Sequence, residues 1–275
     1  MFYPRNIVYI ALFVVVVSSA VFMLNFRHYE ENNTEYQLDY IRQLSGIQNL
    51  SSLTFHKEQG YLYATQNKPA TLLKLSSEGD ILDSILLQFI TDAETIEHIS
   101  GNIFAAIDES SSKLFFFTVD NDLTVTLRNS IPLPQFKKKN HGYEGLAWDM
   151  DAHILYAAKE RRPYEIYTWY LSTDLSSVKQ IQLTDFPYQV NVDDISALDY
   201  SNGRLLLLSD ESRLLLETDS DGKTWTEVLN LTQGNHGLNR DIPQPEGVAR
   251  TPDGSIYIAS EPNLIARFRP VSAVP

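Results

Sequence analysis

Apolar residues along this chain alternate with polar or small ones in short runs broken by turn residues, and the runs recur. The clearest unit opens at Tyr143-Glu144-Gly145-Leu146-Ala147-Trp148 and closes at Ile154-Leu155-Tyr156-Ala157-Ala158-Lys159-Glu160. A second opens at Pro245-Glu246-Gly247-Val248-Ala249 and closes at Ile256-Tyr257-Ile258-Ala259-Ser260-Glu261. Weaker copies span residues 94–109, 196–211 and 51–66, a spacing of roughly fifty residues. Each copy reads as two antiparallel strands around a turn such as Thr251-Pro252-Asp253-Gly254-Ser255 or Ser201-Asn202-Gly203. The first strand sets small residues (Gly145, Ala147) against large ones (Leu146, Trp148). Small side chains on one face suit a strand crowded by its neighbours near a central axis.

Third strands are expected at residues 72–75, 113–117, 164–169, 214–217 and 264–268, and fourth strands at 81–86, 123–127, 178–183 and 225–229. Four strands per repeat at this period predict an all-β fold, a five-bladed β-propeller with four-stranded blades. Too little chain follows Phe268 to supply the last blade's fourth strand, whereas residues 36–44 alternate suitably and have no blade of their own. That N-terminal strand is therefore expected to close the ring and remove the exposed sheet edges. The plainer alternative is an open sandwich of similar strands. With 275 residues and 43% hydrophobic content, the chain can bury a full core.

Residues 7–26 are almost wholly apolar, interrupted by Ser18, Ser19 and Asn25. Twenty helical residues rise about 30 Å, enough to cross a bilayer's hydrocarbon core. The expected layout is a single transmembrane anchor over residues 1–27, a polar tether over 28–35, the propeller over 36–270 and a tail over 271–275. Arg5 precedes the apolar run, while Glu30, Glu31, Glu35 and Asp39 follow Arg27, which favours a cytoplasmic N-terminus and an exported domain. Ser18-Ser19-Ala20 resembles a signal-peptide cleavage site, but the apolar run continues past it and favours an uncleaved anchor.

The chain has no cysteine, which excludes disulfides, thiolate metal sites and a cysteine nucleophile. Its formal charge is −13; setting aside Arg5 and Arg27 leaves 20 basic against 35 acidic residues in the exported part. Such a domain repels nucleic acid and anionic lipid surfaces. The one basic run, Lys137-Lys138-Lys139, reads as a solvated loop.

Acidic residues within the repeats carry the main chemical hint. Glu94, Glu144 and Glu246 open inner strands, and Glu109, Glu160, Glu211 and Glu261 end the strands beside them. In a hairpin those positions meet at one open end, and Asp193 and Asp194 approach it where Ser196 replaces the opening Glu. Five-fold closure would gather Glu94, Glu109, Glu144, Glu160, Asp194, Glu211, Glu246 and Glu261 around one channel mouth, raising several pKa values. A hard divalent cation would relieve the repulsion, and an all-oxygen donor set favours calcium, Ca2+, over zinc or iron. The competing reading pairs these carboxylates with Arg161, Arg162, Arg213, Arg250 and backbone N–H groups.

The chain also resembles the SdiA-regulated, YjiK-like family in Asn49-Leu50-Ser51-Ser52-Leu53-Thr54, Asn67-Lys68-Pro69-Ala70, Glu94-Thr95-Ile96-Glu97, Glu144-Gly145-Leu146-Ala147, Glu211-Ser212-Arg213, Glu246-Gly247-Val248-Ala249 and Ser260-Glu261-Pro262-Asn263. That resemblance implies a five-bladed propeller distantly related to NHL-repeat propellers, with a calcium site. It also implies a Gram-negative cell-envelope protein, here an inner-membrane single-pass protein with its propeller in the periplasm. Ser51 and Gln66 depart from the acidic pattern in the first repeat, so the cation is expected off-axis, towards the acidic blades.

No nucleophile elbow, zinc-binding helix or phosphate-binding glycine loop occurs. His28, His56, His98, His141, His153 and His236 show no ligand spacing, and His98 reads as a hydrogen-bonded structural residue. Residues 219–223 begin like a calcium-binding loop but lack the later Glu and read as a hairpin turn. Two function classes remain. One is a membrane-tethered, calcium-stabilised module binding a protein or small envelope ligand. The other is a metal-dependent hydrolase of lactonase or phosphoesterase type, with Arg161 and Arg213 available to orient a substrate.

Overall fold

The computed structural model describes residues 35–136, 142–161, 163–183, 190–219 and 223–271. Residues 7–26, Lys137-Lys138-Lys139, Arg162 and the middle of the turn at 219–223 lie outside them. Among the described residues every named element is a strand, and no helix is long and apolar enough to cross a membrane.

Strand β1 (Tyr36–Gln43) stands apart from those that follow it. Blade 1 is β2 (Leu50–His56), β3 (Tyr61–Gln66), β4 (Thr71–Leu75) and β5 (Ile81–Leu86). Blade 2 is β6 (Glu97–Ser100), β7 (Ile103–Asp108), β8 (Lys113–Val119) and β9 (Val125–Pro132). Blade 3 is β10 (Tyr143–Asp149), β11 (Ile154–Lys159), β12 (Glu165–Leu171) and β13 (Val178–Ile181). Blade 4 is β14 (Ala197–Ser201), β15 (Arg204–Ser209), β16 (Leu214–Thr218) and β17 (Trp225–Asn230). Blade 5 is β18 (Pro245–Arg250), β19 (Ile256–Ser260) and β20 (Leu264–Pro270), completed by β1.

The closing strand is where the alternation of residues 36–44 placed it. β1 runs antiparallel to β20, with Tyr36 opposite Pro270 and Gln43 opposite Leu264. The seam continues past the strand: Leu44 N–H donates to Asn263 O at 2.8 Å, and Asn263 Nδ2 returns to Leu44 O at 2.9 Å. The first strands of the blades contact one another in cyclic order, β2 to β6, β10, β14, β18 and back to β2. An open sandwich has no such cycle.

The core lies between blades. Phe104 and Ala106 of β7 face blade 1, while Ala105 and Ile107 of the same strand face blade 3. β15 divides likewise, Leu206 and Leu208 towards blade 5, Leu205 and Leu207 towards blade 3. Burial on both faces explains why the second strands read as continuous apolar runs. Outermost strands such as β5 and β9 are largely exposed, which leaves them the alternating polar pattern.

Several boundaries differ from the sequence reading, among them the following three. β9 begins at Val125, not Leu123, because Leu123 is used in the preceding turn at φ 61°, with its N–H on Asp120 O at 2.9 Å. β13 stops at Ile181, short of residue 183. Glu94 precedes β6 rather than opening it. His98 Nε2 lies 2.9 Å from Gly101 O, and its ring stacks on His56 at 3.9 Å between centroids, a buried pair in the interface of blades 1 and 2.

The small residues of the inner strands sit where adjacent strands converge. A Cβ on Gly145 would lie 2.7 Å from the Leu198 side chain, and one on Gly247 would lie 2.8 Å from the Leu53 amide nitrogen. The second contact is with backbone, which cannot rotate away. Gly247→Ala is accordingly expected to destabilise the fold by ~2–3 kcal/mol, read as a lower urea midpoint at unchanged slope. A midpoint equal to that of the natural sequence would contradict the close approach of β18 to β2.

Candidate metal centre

A backbone bulge sets the direction of the mouth-facing side chains. In blade 3, Tyr143 pairs with Lys159 and Gly145 with Ala158, so Glu144 is the extra, unpaired residue. Pro245 and Gly247 pair with Ser260 and Ala259 and leave Glu246 unpaired, and Leu50 and Ser52 leave Ser51 in the same way. Blade 2 reaches the same result without a long strand, since Ala93 bridges Asp108 and the next pair is Glu97 with Ala105. A bulge bends its strand and re-aims the extra side chain. The chain thereby turns Ser51, Glu94, Glu144 and Glu246 out of the sheet plane at one end of the channel.

A second ring comes from the residues that follow the second strands: Asn67, Glu109, Glu160, Asp210 and Glu261. Four of these close the hairpin with a backbone bond to the residue two positions before the inner-strand acid or serine. These are Asn67 N to Asn49 O, Glu109 N to Asp92 O, Glu160 N to Gly142 O and Glu261 N to Gln244 O, at 2.9–3.2 Å. In blade 4 Glu211 N instead donates to the Asp194 carboxylate at 3.0 Å.

Serines stitch the ring where an acid is missing. Ser51 Oγ donates to Ala93 O at 2.7 Å, and Ser196 Oγ donates to Pro245 O at 2.7 Å. Each bond fixes the residue just before a carboxylate, Glu94 in one case and Glu246 in the other. The departure of blades 1 and 4 from the acidic pattern therefore positions the acids of blades 2 and 5.

Not all the candidate carboxylates converge equally. Asp92, Glu94 and Glu109 each bring an oxygen within 4.8 Å of the others. Burial pushes Glu94 up to about 8, with Asp92 and Glu109 adding to the shift, while Asn67 Nδ2 donates to its Oε1 at 3.0 Å and opposes it. Burial first, then Glu94, Glu160, Glu109 and Glu246, hold Glu144 well above the usual carboxylate range. Glu246 is pushed to about 9 by burial, then by Asp210, Glu261, Glu94 and Asp194. Glu109, Glu160 and Glu261 are raised, burial being the leading cause for each. Asp194 is raised by burial too, yet it accepts hydrogen bonds from Ser209 and Glu211 N. Glu211 stands one residue beyond the ring, exposed and paired with Arg161. The exposed Asp193 exchanges hydrogen bonds with Ser212.

Two acids of the site escaped the sequence reading, Asp92 and Asp210. Asp92 occupies in blade 2 the place of Asp194 in blade 4, two residues before the mouth position, so superposing the repeats would have found it. Asp210 is the first residue after β15, and burial, then Asp194, push it up to about 6. The arginines neutralise only part of the ring. Arg161 pairs with Glu160 at 2.7 Å and with Glu211, Arg213 reaches Asp241 at 3.7 Å, and Arg250 binds Glu217. Lys68 Nζ contacts Asp92 Oδ2 at 2.9 Å.

The Asp92–Glu94–Glu109 corner fits a divalent cation. Its donors are all oxygen, and two ligands on opposite sides of one calcium ion sit up to about 5 Å apart. Asp92 Oδ1 and Asn67 Oδ1 are buried there without a hydrogen-bond partner while Glu94 is ionised; a protonated Glu94 donates to Asp92. Buried polar atoms left in this way call for an explanation, and a bound ion or water supplies one.

The sequence profile of the SdiA-regulated family matches residues 27–269. The chain belongs to the SdiA-regulated family. Among solved structures this family member is similar to a glutaminyl cyclase from Myxococcus xanthus, with TM-score 0.60, 18% identity and coverage of 86% of this chain and 97% of that one. It is also similar to a virginiamycin B lyase from Staphylococcus aureus, with TM-score 0.50, 11% identity and coverage of 86% and 100%. A streptogramin B lyase matches at TM-score 0.50 and 12% identity over 88% of this chain and 100% of that one. At these identities the likeness establishes the propeller and nothing further.

The raised carboxyls of this SdiA-regulated propeller tie its metal-free stability to pH. Glu246 moves from its ordinary 4.5 to about 9 on folding, so the folded state holds a proton that the unfolded chain releases. Its contribution is present in full below pH 4.5 and is lost as pH rises through 9. In chelator at pH 8.5, Glu246→Gln is expected to stabilise the protein on the order of 2 kcal/mol, with no gain at pH 4. Equal urea midpoints at both pH values would remove the electrostatic account of the mouth.

Proposed function

We propose that this SdiA-regulated propeller is a calcium-binding module of the bacterial envelope, tethered by residues 1–27 and presenting one propeller face to a protein or small ligand. The observation that carries this reading is the Asp92–Glu94–Glu109 corner with its two orphaned buried oxygens on Asp92 and Asn67. Those four residues would hold the ion, with Glu144 beside them. Bound there, calcium supplies positive charge that lets buried carboxyls ionise without mutual repulsion. The ion thus acts first on the fold, drawing blade 1 (Asn67) and blade 2 (Asp92, Glu94, Glu109) together.

The hydrolase alternative has less support. The two arginines that reading would use to orient a substrate are engaged elsewhere, Arg161 by both Glu160 and Glu211. Arg213 is directed to Asp241. The neighbours named above include enzymes, but a shared fold does not carry their chemistry across.

Full-length protein melted in EGTA and then in calcium tests the proposal. A ligand that binds only the native state stabilises it by about 2.7 kcal/mol at a hundredfold excess over Kd, or roughly 5–10 °C for a domain of this size. Asp92→Asn combined with Glu94→Gln should abolish that shift while leaving the EGTA melting temperature equal or higher. An unchanged melting temperature on adding calcium to the natural sequence would exclude the site.

A further inference from the structure

Lys68 stands out among the basic residues of the mouth by what it touches and how freely it does so. It sits on the loop between β3 and β4 of blade 1, and its partner belongs to blade 2. Its Nζ lies 2.9 Å from Asp92 Oδ2, the lysine side chain 63% exposed and the aspartate 9%. Asp92, Glu94 and Glu109, the carboxylates of the proposed metal corner, all hold its pKa above the ordinary lysine value. Arg161, across the mouth, is pinned between Glu160 and Glu211. Among the described residues Asp92 is its one ion-pair partner, and its exposed stem gives the ammonium room to move into water.

One ammonium is a poor match for this corner. It engages one oxygen of Asp92 while the other, together with Asn67 Oδ1, remains buried without a partner. A divalent ion satisfies several oxygens at once and brings twice the charge. The two cations cannot both sit against Asp92 without repelling each other.

We infer that Lys68 is a built-in counter-ion of the carboxylate corner: its ammonium neutralises Asp92 when no divalent ion is bound and must withdraw for the ion to enter, so Lys68 sets the affinity of the site. This rests on the cation reading above and adds a residue whose removal should improve binding. The exchange is non-covalent, one tethered monovalent cation leaving as one free divalent cation arrives. A lysine whose role was only to support the loop would weaken binding when removed.

The test is a calorimetric calcium titration of full-length natural protein, Lys68→Met and Lys68→Arg, with melts in EGTA and in saturating calcium. Lys68→Met should tighten calcium binding about tenfold, which is ~1.4 kcal/mol, and should lower the melting temperature in EGTA but not in calcium. Lys68→Arg keeps the charge and should leave the affinity near the natural value. Lys68→Gln, uncharged but able to donate to Asp92, should tighten binding as Met does and covers the case in which Met fails to fold. Binding by the neutral variants alone would also support the inference, since the lysine would then be blocking the site outright. Natural protein that binds calcium, with neutral variants equal or weaker, would overturn the role of Lys68 and leave the metal centre standing. Absence of binding in every variant would overturn both.

Discussion

The pairing of β1 with β20 is the constraint on which the other features depend. Each blade is apolar on both faces, so a linear stack would leave two apolar faces uncovered, one at each end, and exposed faces of that size drive association. Joining the ends covers both. β1 serves two interfaces at once: Tyr36, Leu38 and Ile41 pack with blades 4 and 5, whereas Tyr40 and Leu44 pack with blades 5 and 1. The strand earliest among those described thus completes the last blade and helps seat the first. Closure also brings the five inner strands to one axis, and the bulges then act in concert.

Convergence has an electrostatic cost that the ring does not fully relieve from within. The mouth holds Glu94, Glu144 and Glu246 in surroundings that favour their neutral forms. Deeper in the channel the pattern repeats on a smaller scale. Burial and then Asp199 raise Glu97, while burial raises Asp199 to about 6. That inner pair is partly satisfied, because Thr54 Oγ1 donates to Glu97 at 3.1 Å and Arg250 N donates to Asp199 at 3.2 Å. Among the described residues Asp92 Oδ1 has no such donor, a difference that supports the ligand proposed for the mouth.

Much of this was legible in the sequence because blade geometry is periodic. Alternation gave the strands, the turn residues gave their ends, and the unpaired alternation of residues 36–44 gave the closure. The acids were legible as far as the repeats stayed in phase. Reading the first blade as Ser51 with Gln66 missed Asn67, because the bulge at Ser51 offsets the strands by one residue. In blade 4, where β14 and β15 pair without a register shift, the ring residue falls one position earlier than the residue read, and Asp210 was passed over for the more conspicuous Glu211. Asp92 lies two residues before the mouth acid, as Asp194 lies two before Ser196, and only aligning blades 2 and 4 brings it out. Lys68 reaches its partner across two blades, and no local pattern in one sequence encodes such a contact.

Asymmetry around the ring supports the corner proposed for the cation. In blades 3 and 4, Glu160 and Glu211 are matched by Arg161 and Asp194 by the Ser209 and Glu211 donors, whereas Glu144 stays among other acids. Blade 5 contributes Glu246 and Glu261, with Ser196 fixing the backbone before Glu246. Blade 2 contributes three carboxylates in one corner, and blade 1 supplies neutral or basic partners, Ser51, Asn67 and Lys68, rather than further acids. A divalent ion needs dense negative charge and neutral oxygens that fill its remaining positions without adding repulsion. The substitutions that break the acidic repeat in blade 1 therefore suit the corner proposed beside it, and the departure from five-fold symmetry belongs to that proposal.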